Sequence, residues 1–64
     1  MKDFRDKVVV VTGAGSGIGR ELAVKLAQKG AKVAISDVDA AGLATTERLV
    51  REAGAQVHTQ TLNV

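Results

Sequence analysis

The stretch Val8-Val9-Val10-Val11-Thr12-Gly13-Ala14-Gly15-Ser16-Gly17-Ile18-Gly19 decides the fold. Its four valines run without polar alternation, the pattern of a strand buried on both faces of a parallel sheet. The glycines interrupt that run, and a helical period begins directly after them. Strand, glycine loop and helix in this order bring free backbone N–H groups to a helix start. Unsatisfied donors and the helix dipole both favour negative charge there.

Working outward, the helical period extends from Gly17 to Lys29. Ile18, Leu22 and Leu26 fall four apart with Ala23 and Ala27 beside them, while Arg20, Glu21, Lys25 and Gln28 take the other faces. Gly30 ends this helix, and Lys32 to Ser36 forms a second strand. Asp39 is suited to N-cap a second helix running to about Ala53, with Leu43, Leu49, Val50 and Ala53 on its apolar side and Gly54 closing it. Gly42 in its first turn is a weakness of about 1 kcal/mol relative to alanine. Gln56 to Val64 forms a third and more polar strand.

The class is therefore α/β: a βαβαβ unit with a parallel sheet in the order 3-2-1, half of a doubly wound (Rossmann) sheet. Residues 1–64 make one domain at most, without linker or repeat, and have the organisation of the N-terminal part of such a domain. Both crossovers step the same way, so both helices cover one face. The other face and the free edge of the first strand are left bare, an association site for a second copy or for further sequence.

Composition narrows the function classes. A chain of 64 residues buries only about 60% of its unfolded surface, which leaves a small core. Nine basic and seven acidic residues are scattered without a patch, and Phe4 is the lone aromatic, which argues against a nucleic-acid surface. No cysteine is present, which excludes disulfides and thiolate metal sites and fits a reducing compartment. The first seven residues are too charged for a signal peptide and the valines too few to cross a bilayer, so no membrane partner and a cytoplasmic location are expected. His58 has no acid or second histidine near it in sequence and reads as a strand surface residue. Thr45, Thr46, Thr59 and Thr61 read as filler.

The glycine spacing discriminates among phosphate-binding loops. G-x-G-x-x-G fails, because Ile18 or Arg20 would stand at its third glycine, and no Lys-Ser/Thr pair follows the loop as in a nucleoside triphosphatase. G-x-x-x-G-x-G fits with Gly13, Gly17 and Gly19. Gly13 permits the sharp departure from the strand, Gly17 lets backbone approach a diphosphate, and Gly19 allows close helix packing. The N–H groups near Gly17 and Ile18 are the donors. Ser16 is either a hydroxyl contact to phosphate or ribose, or a small polar loop residue. Asp37, at the end of the second strand, is placed to accept from the ribose 2′- and 3′-hydroxyls and to repel a 2′-phosphate, which points to NAD in preference to NADP. The bland alternative is an acid at a strand-to-helix turn, a part that Asp39 fills equally well.

Thr12 to Gly19 resembles the cofactor signature of the short-chain dehydrogenase/reductase family, as do Asp6 to Thr12 and Gly30-Ala31-Lys32-Val33, and the likeness extends from about Phe4 to Val64. It implies that Gly13, Ser16, Gly17, Ile18 and Gly19 hold the diphosphate and adjacent ribose, and Asp37 the adenosine ribose. Relatives that prefer NADP often carry a basic residue where this chain has Ser16. Where the family usually ends its third strand with Asp-Val, this chain has Asn63-Val64, and the asparagine carbonyl remains able to accept from the adenine amino group.

The family's catalytic serine and Tyr-x-x-x-Lys have no counterpart among these residues, and the chain contains no tyrosine. The resemblance therefore implies a dinucleotide-binding segment of an oxidoreductase, whose parent would interconvert an alcohol and a carbonyl by hydride transfer. Hydride transfer by this polypeptide alone is not expected. The alternative is a non-catalytic half-domain that binds an adenine nucleotide or pairs with itself.

Overall fold

The computed structural model describes residues 5–62. Its elements follow in the order β1 (Val8–Thr12), α1 (Gly17–Gln28), β2 (Lys32–Asp37), α2 (Ala40–Glu52) and β3 (Val57–Thr61). The three strands form one sheet in the order β1-β2-β3, the expected 3-2-1 arrangement. Both pairings are parallel, with Val9 opposite Val33 and Val33 opposite Val57. The third strand stops at Thr61, short of the expected Val64. Asn63 and Val64 lie outside the described residues.

Both helices lie on one side of the sheet and touch each other there. Val11, Val33, Ile35, Leu43 and Val50 are buried between the layers, with Ala14, Ala23, Ala27 and Ala31 filling the narrow places. Val8 and Val10 face the other way, each 68% exposed. The valine run is therefore covered on one face within this chain, not on both as its composition suggests, because right-handed crossovers place every helix on the same side.

Helix α1 turns a different stripe inward from the one its leucines suggest. Ala23 and Ala27 are buried, whereas Ile18 is 86% exposed and Leu22 47% exposed. Gly19 fixes this rotation. A Cβ there would run into the carbonyl of Gly13 and the Cα of Ala14, so Gly19 sits directly against the loop. Ala23 and Ala27, one and two turns further on, follow it onto the sheet. Small residues allow this close approach, and the bulkier Ile18 and Leu22 are rotated outward.

Helix α2 begins as its sequence indicates. The Gly42 N–H donates to Asp39 Oδ1 at 3.0 Å, an N-cap of the expected kind. Leu43, Thr46 and Val50 form its buried stripe. Gly30 and Gly54 follow the two helices with φ of +94° and +91°, the left-handed conformation that ends a helix. Thr59 is also more than filler, since its hydroxyl donates to Glu47 Oε1 at 2.8 Å and ties β3 to α2.

Candidate dinucleotide site

The glycine loop and Asp37 meet at the C-terminal ends of β1 and β2. After Thr12 the chain turns at Gly13, whose φ of +68° belongs to the left-handed region. The Ala14 N–H donates to the Ser36 carbonyl at 3.1 Å. The Gly15 N–H then donates to Asp37 Oδ2 at 2.7 Å, joining loop and acid directly. The other carboxylate oxygen, Oδ1, accepts from the Asp39 N–H at 3.1 Å. These donors, Asp39 first and then Gly15 and Val38, hold the Asp37 carboxyl below its ordinary value against a small opposing effect of burial. An ionised carboxylate with both oxygens oriented results.

The carbonyls of the same two loop residues are also engaged. Thr46 Oγ1 donates to the Ala14 carbonyl at 2.6 Å. The Arg20 guanidinium donates through Nη2 to the Gly15 carbonyl at 2.5 Å and to the Gly42 carbonyl at 3.1 Å. Its Nε donates to Thr46 Oγ1 at 2.9 Å. Every backbone polar atom of Ala14 and Gly15 is thus satisfied by protein.

The next amides are not so engaged. Ser16 is the N-cap of α1, its backbone extended and its exposed side chain making no capping bond. Among the described residues, no backbone carbonyl outside the helix accepts from the N–H groups of Ser16, Gly17, Ile18 or Gly19. The first turn of a helix supplies none from within. Gly17 has φ of +57°, and a Cβ at Gly13 or Gly17 would meet nothing within 4 Å. The loop is therefore open on the side where free amides gather, a shape and polarity that fit a diphosphate.

The expected residues Gly13, Ser16, Gly17, Ile18, Gly19 and Asp37 all fall in this one region. The Ile18 side chain points to solvent, so only its backbone N–H joins the free amides of the loop. Asn63 and Val64, assigned to the adenine, lie outside the described residues. Asp37 and Asp39 divide the acid roles that the sequence left open: Asp39 caps α2, while Asp37 reaches the loop.

Four residues escaped the sequence reading. Arg20 is not on a solvated face, and Thr46 is wholly buried. The helical period carried the signal: Thr46 falls on the stripe of Leu43 and Val50, and Arg20 on that of Ala23 and Ala27. A hydroxyl on a buried stripe requires a partner. Gly15 lies against Asp37. Gly42 is a requirement instead of a weakness, because a Cβ there would strike the Gly15 carbonyl and approach Asp39 Oδ2 to 2.5 Å. Among the described residues, no cluster of His, Cys, Asp or Glu is suited to a metal ion, and no helix is long and apolar enough to cross a membrane.

The chain is similar to known proteins in sequence and fold. The family model for short chain dehydrogenases matches residues 7–64. SadH of Mycobacterium tuberculosis is 58% identical over 64 residues, covering 100% of this chain and 23% of its own length. A short-chain dehydrogenase/reductase from Burkholderia phymatum, solved in complex with NAD, superposes with a TM-score of 0.87 at 46% identity, over 98% of this chain and 22% of its own. Carveol dehydrogenase from Mycobacterium avium, also in complex with NAD, gives a TM-score of 0.90 at 28% identity, over 98% and 27%. The chain spans between about a tenth and a quarter of the length of the curated relatives it matches. Given the glycine loop, the sheet order and the matched family model, the chain belongs to the short-chain dehydrogenase family.

Proposed function

We propose that this chain is the dinucleotide-binding segment of an oxidoreductase and that it takes NAD in preference to NADP. One observation carries the reading: free amides at Ser16 to Gly19 open beside a carboxylate whose two oxygens are already oriented. The diphosphate would lie against these amides, with Gly13 and Gly17 leaving room for it and Gly19 holding the helix start in place. The Ser16 hydroxyl would add a contact to phosphate or ribose. Asp37 would accept from the 2′- and 3′-hydroxyls of the adenosine ribose and repel a 2′-phosphate. Ser16 brings no positive charge to offset that repulsion. Asn63 would accept from the adenine amino group, with Val64 beside the ring.

Bound NAD supplies a hydride acceptor, and the parent would use it to interconvert an alcohol and a carbonyl. The described residues supply binding and orientation. A cytoplasmic location accords with the lack of cysteine.

Calorimetry of the full chain against each cofactor tests this function. Binding of NAD at least ten times tighter than NADP is expected, and equal affinities, or no binding of either, would overturn it.

A second reading, self-association through the sheet, is favoured by Val8 and Val10, each 68% exposed on the face without helices. Sedimentation equilibrium over a range of concentrations tests it. A monomer throughout would eliminate it.

A further inference from the structure

Arg20 carries a positive charge at the start of α1, beside a loop built for an anion. Its geometry nevertheless turns it away from any ligand. All three of its recorded hydrogen bonds go to protein acceptors: the Gly15 carbonyl, the Gly42 carbonyl and Thr46 Oγ1. Thr46 is fully buried, and its hydroxyl donates to the Ala14 carbonyl at 2.6 Å, the nearer of two acceptors with the Gly42 carbonyl at 3.2 Å, while accepting from Arg20. Together the two side chains bind the loop to the first turns of α2.

The consequence reaches Asp37 through a single peptide plane. The Ala14–Gly15 peptide has its C=O held by Thr46 and its N–H donated to Asp37 Oδ2, while Arg20 holds the Gly15 carbonyl of the next peptide and Thr46 Oγ1 itself. Rotating the Ala14–Gly15 peptide would break the Thr46 and Asp37 contacts at once. Asp37 would keep the Asp39 N–H on Oδ1 and lose the donor that orients Oδ2. We propose that Arg20 and Thr46 are positioning residues for nucleotide selectivity: they lock the Ala14–Gly15 peptide and the carbonyl after it, so that Asp37 presents a fixed carboxylate to the ribose. This inference rests on the dinucleotide reading above. The role is indirect, since neither side chain would touch the cofactor.

The pair is matched chemically. A guanidinium makes several directed, charge-assisted bonds from one rigid plane, and a lysine ammonium in its place would span fewer of these acceptors. Valine has nearly the shape of threonine but neither donates nor accepts, so Thr46→Val orphans the buried Ala14 carbonyl.

Two readouts on the full chain test the proposal, with the amide spectrum of each variant confirming its fold. The first is the titration of the Asp37 carboxyl, followed by carbon NMR without cofactor. In Thr46→Val and Arg20→Lys its midpoint should move up toward the ordinary value of 3.8. The second is the pair of dissociation constants for NAD and NADP. NAD should bind about tenfold more weakly in both variants, the equivalent of one charged hydrogen bond, while NADP binds as before or better. Thr46→Ser, which keeps the hydroxyl, should retain the wild-type midpoint and the wild-type preference. If Thr46→Val does not fold, Arg20→Lys carries both readouts.

An unmoved Asp37 midpoint, or equal losses for NAD and NADP, would overturn the positioning role and leave the pair merely structural. Wild-type chain that binds neither cofactor would overturn the dinucleotide reading, and the selectivity role with it. Wild type that prefers NAD alongside variants that keep this preference would sink the positioning role alone.

Discussion

Gly15 and Asp37 fit each other at contact distance. The Gly15 N–H donates to Asp37 Oδ2 at 2.7 Å, and a Cβ on Gly15 would stand 2.7 Å from the same oxygen. Gly15→Ala should therefore displace the carboxylate without disturbing the sheet. We expect NAD affinity to fall about tenfold, the scale of one charge-assisted hydrogen bond. The thermal midpoint should change by only a few degrees. Calorimetry and a circular dichroism melt of the same sample check both.

Two glycines of the loop should fail in different ways. At Gly19 a Cβ would meet the Gly13 carbonyl and Ala14 Cα, both backbone. Gly19→Ala should cost about 1–3 kcal/mol of stability, the range for overpacking. At Gly17 a Cβ would meet nothing within 4 Å, although the φ of +57° adds strain. Gly17→Ala should cost about 1–2 kcal/mol from left-handed backbone. Its larger effect should be on cofactor affinity, since the methyl group would occupy the open side of the loop. Urea midpoints and dissociation constants, measured in parallel, separate the two.

Gly42→Ala reverses the usual rule for helices. Alanine has the better helix propensity by about 1 kcal/mol. Here its Cβ would strike the Gly15 carbonyl and the Asp39 carboxylate. Destabilisation is expected, with cofactor affinity lost alongside, because α2 and the loop would be pushed apart. A variant more stable than wild type in urea would contradict the close packing of these elements.

Acid should weaken the fold through Asp37 and Glu47. Both carboxyls are held below their ordinary values: Asp37 by the Asp39 and Gly15 amides, Glu47 by the Thr59 hydroxyl and then Arg51. A carboxyl with a lowered native value stabilises the folded state fully above its unfolded value, here 3.8 for Asp and 4.5 for Glu. That contribution is lost as pH falls through the lowered native values. Melting temperature should therefore be flat from neutrality to about pH 5 and decline below it. Glu47→Gln should melt lower near neutrality and decline less on the acid side. Melts between neutral and strongly acidic buffer provide the check.

The legible part of this molecule was the part set by period and punctuation. The valine run, the glycines at 30 and 54 and the Asp39 cap located every element, and chain handedness gave the sheet order. The turn at the glycine loop was legible too, because Gly13 and Gly17 take the left-handed backbone that their residue type permits. Contacts between segments distant in sequence were harder to read. Ile18 and Leu22 look like the core stripe of α1 until Gly19, pressed onto Gly13, rotates the helix onto its alanines. Gly42 looks like a flaw until the Gly15 carbonyl is seen to occupy the space beside it. Arg20 and Thr46 look ordinary because they lie 26 residues from each other in sequence. Local propensity has no term for a neighbour brought in by the fold.

The outermost place of β1 has a practical side. It carries four consecutive valines, and one flank of its backbone faces no strand among the described residues. Such a flank is a template that any extended polypeptide can lengthen by hydrogen bonding alongside. Refolding at high concentration would therefore feed a competing, intermolecular reaction. Recovery of native material becomes a race that dilution favours.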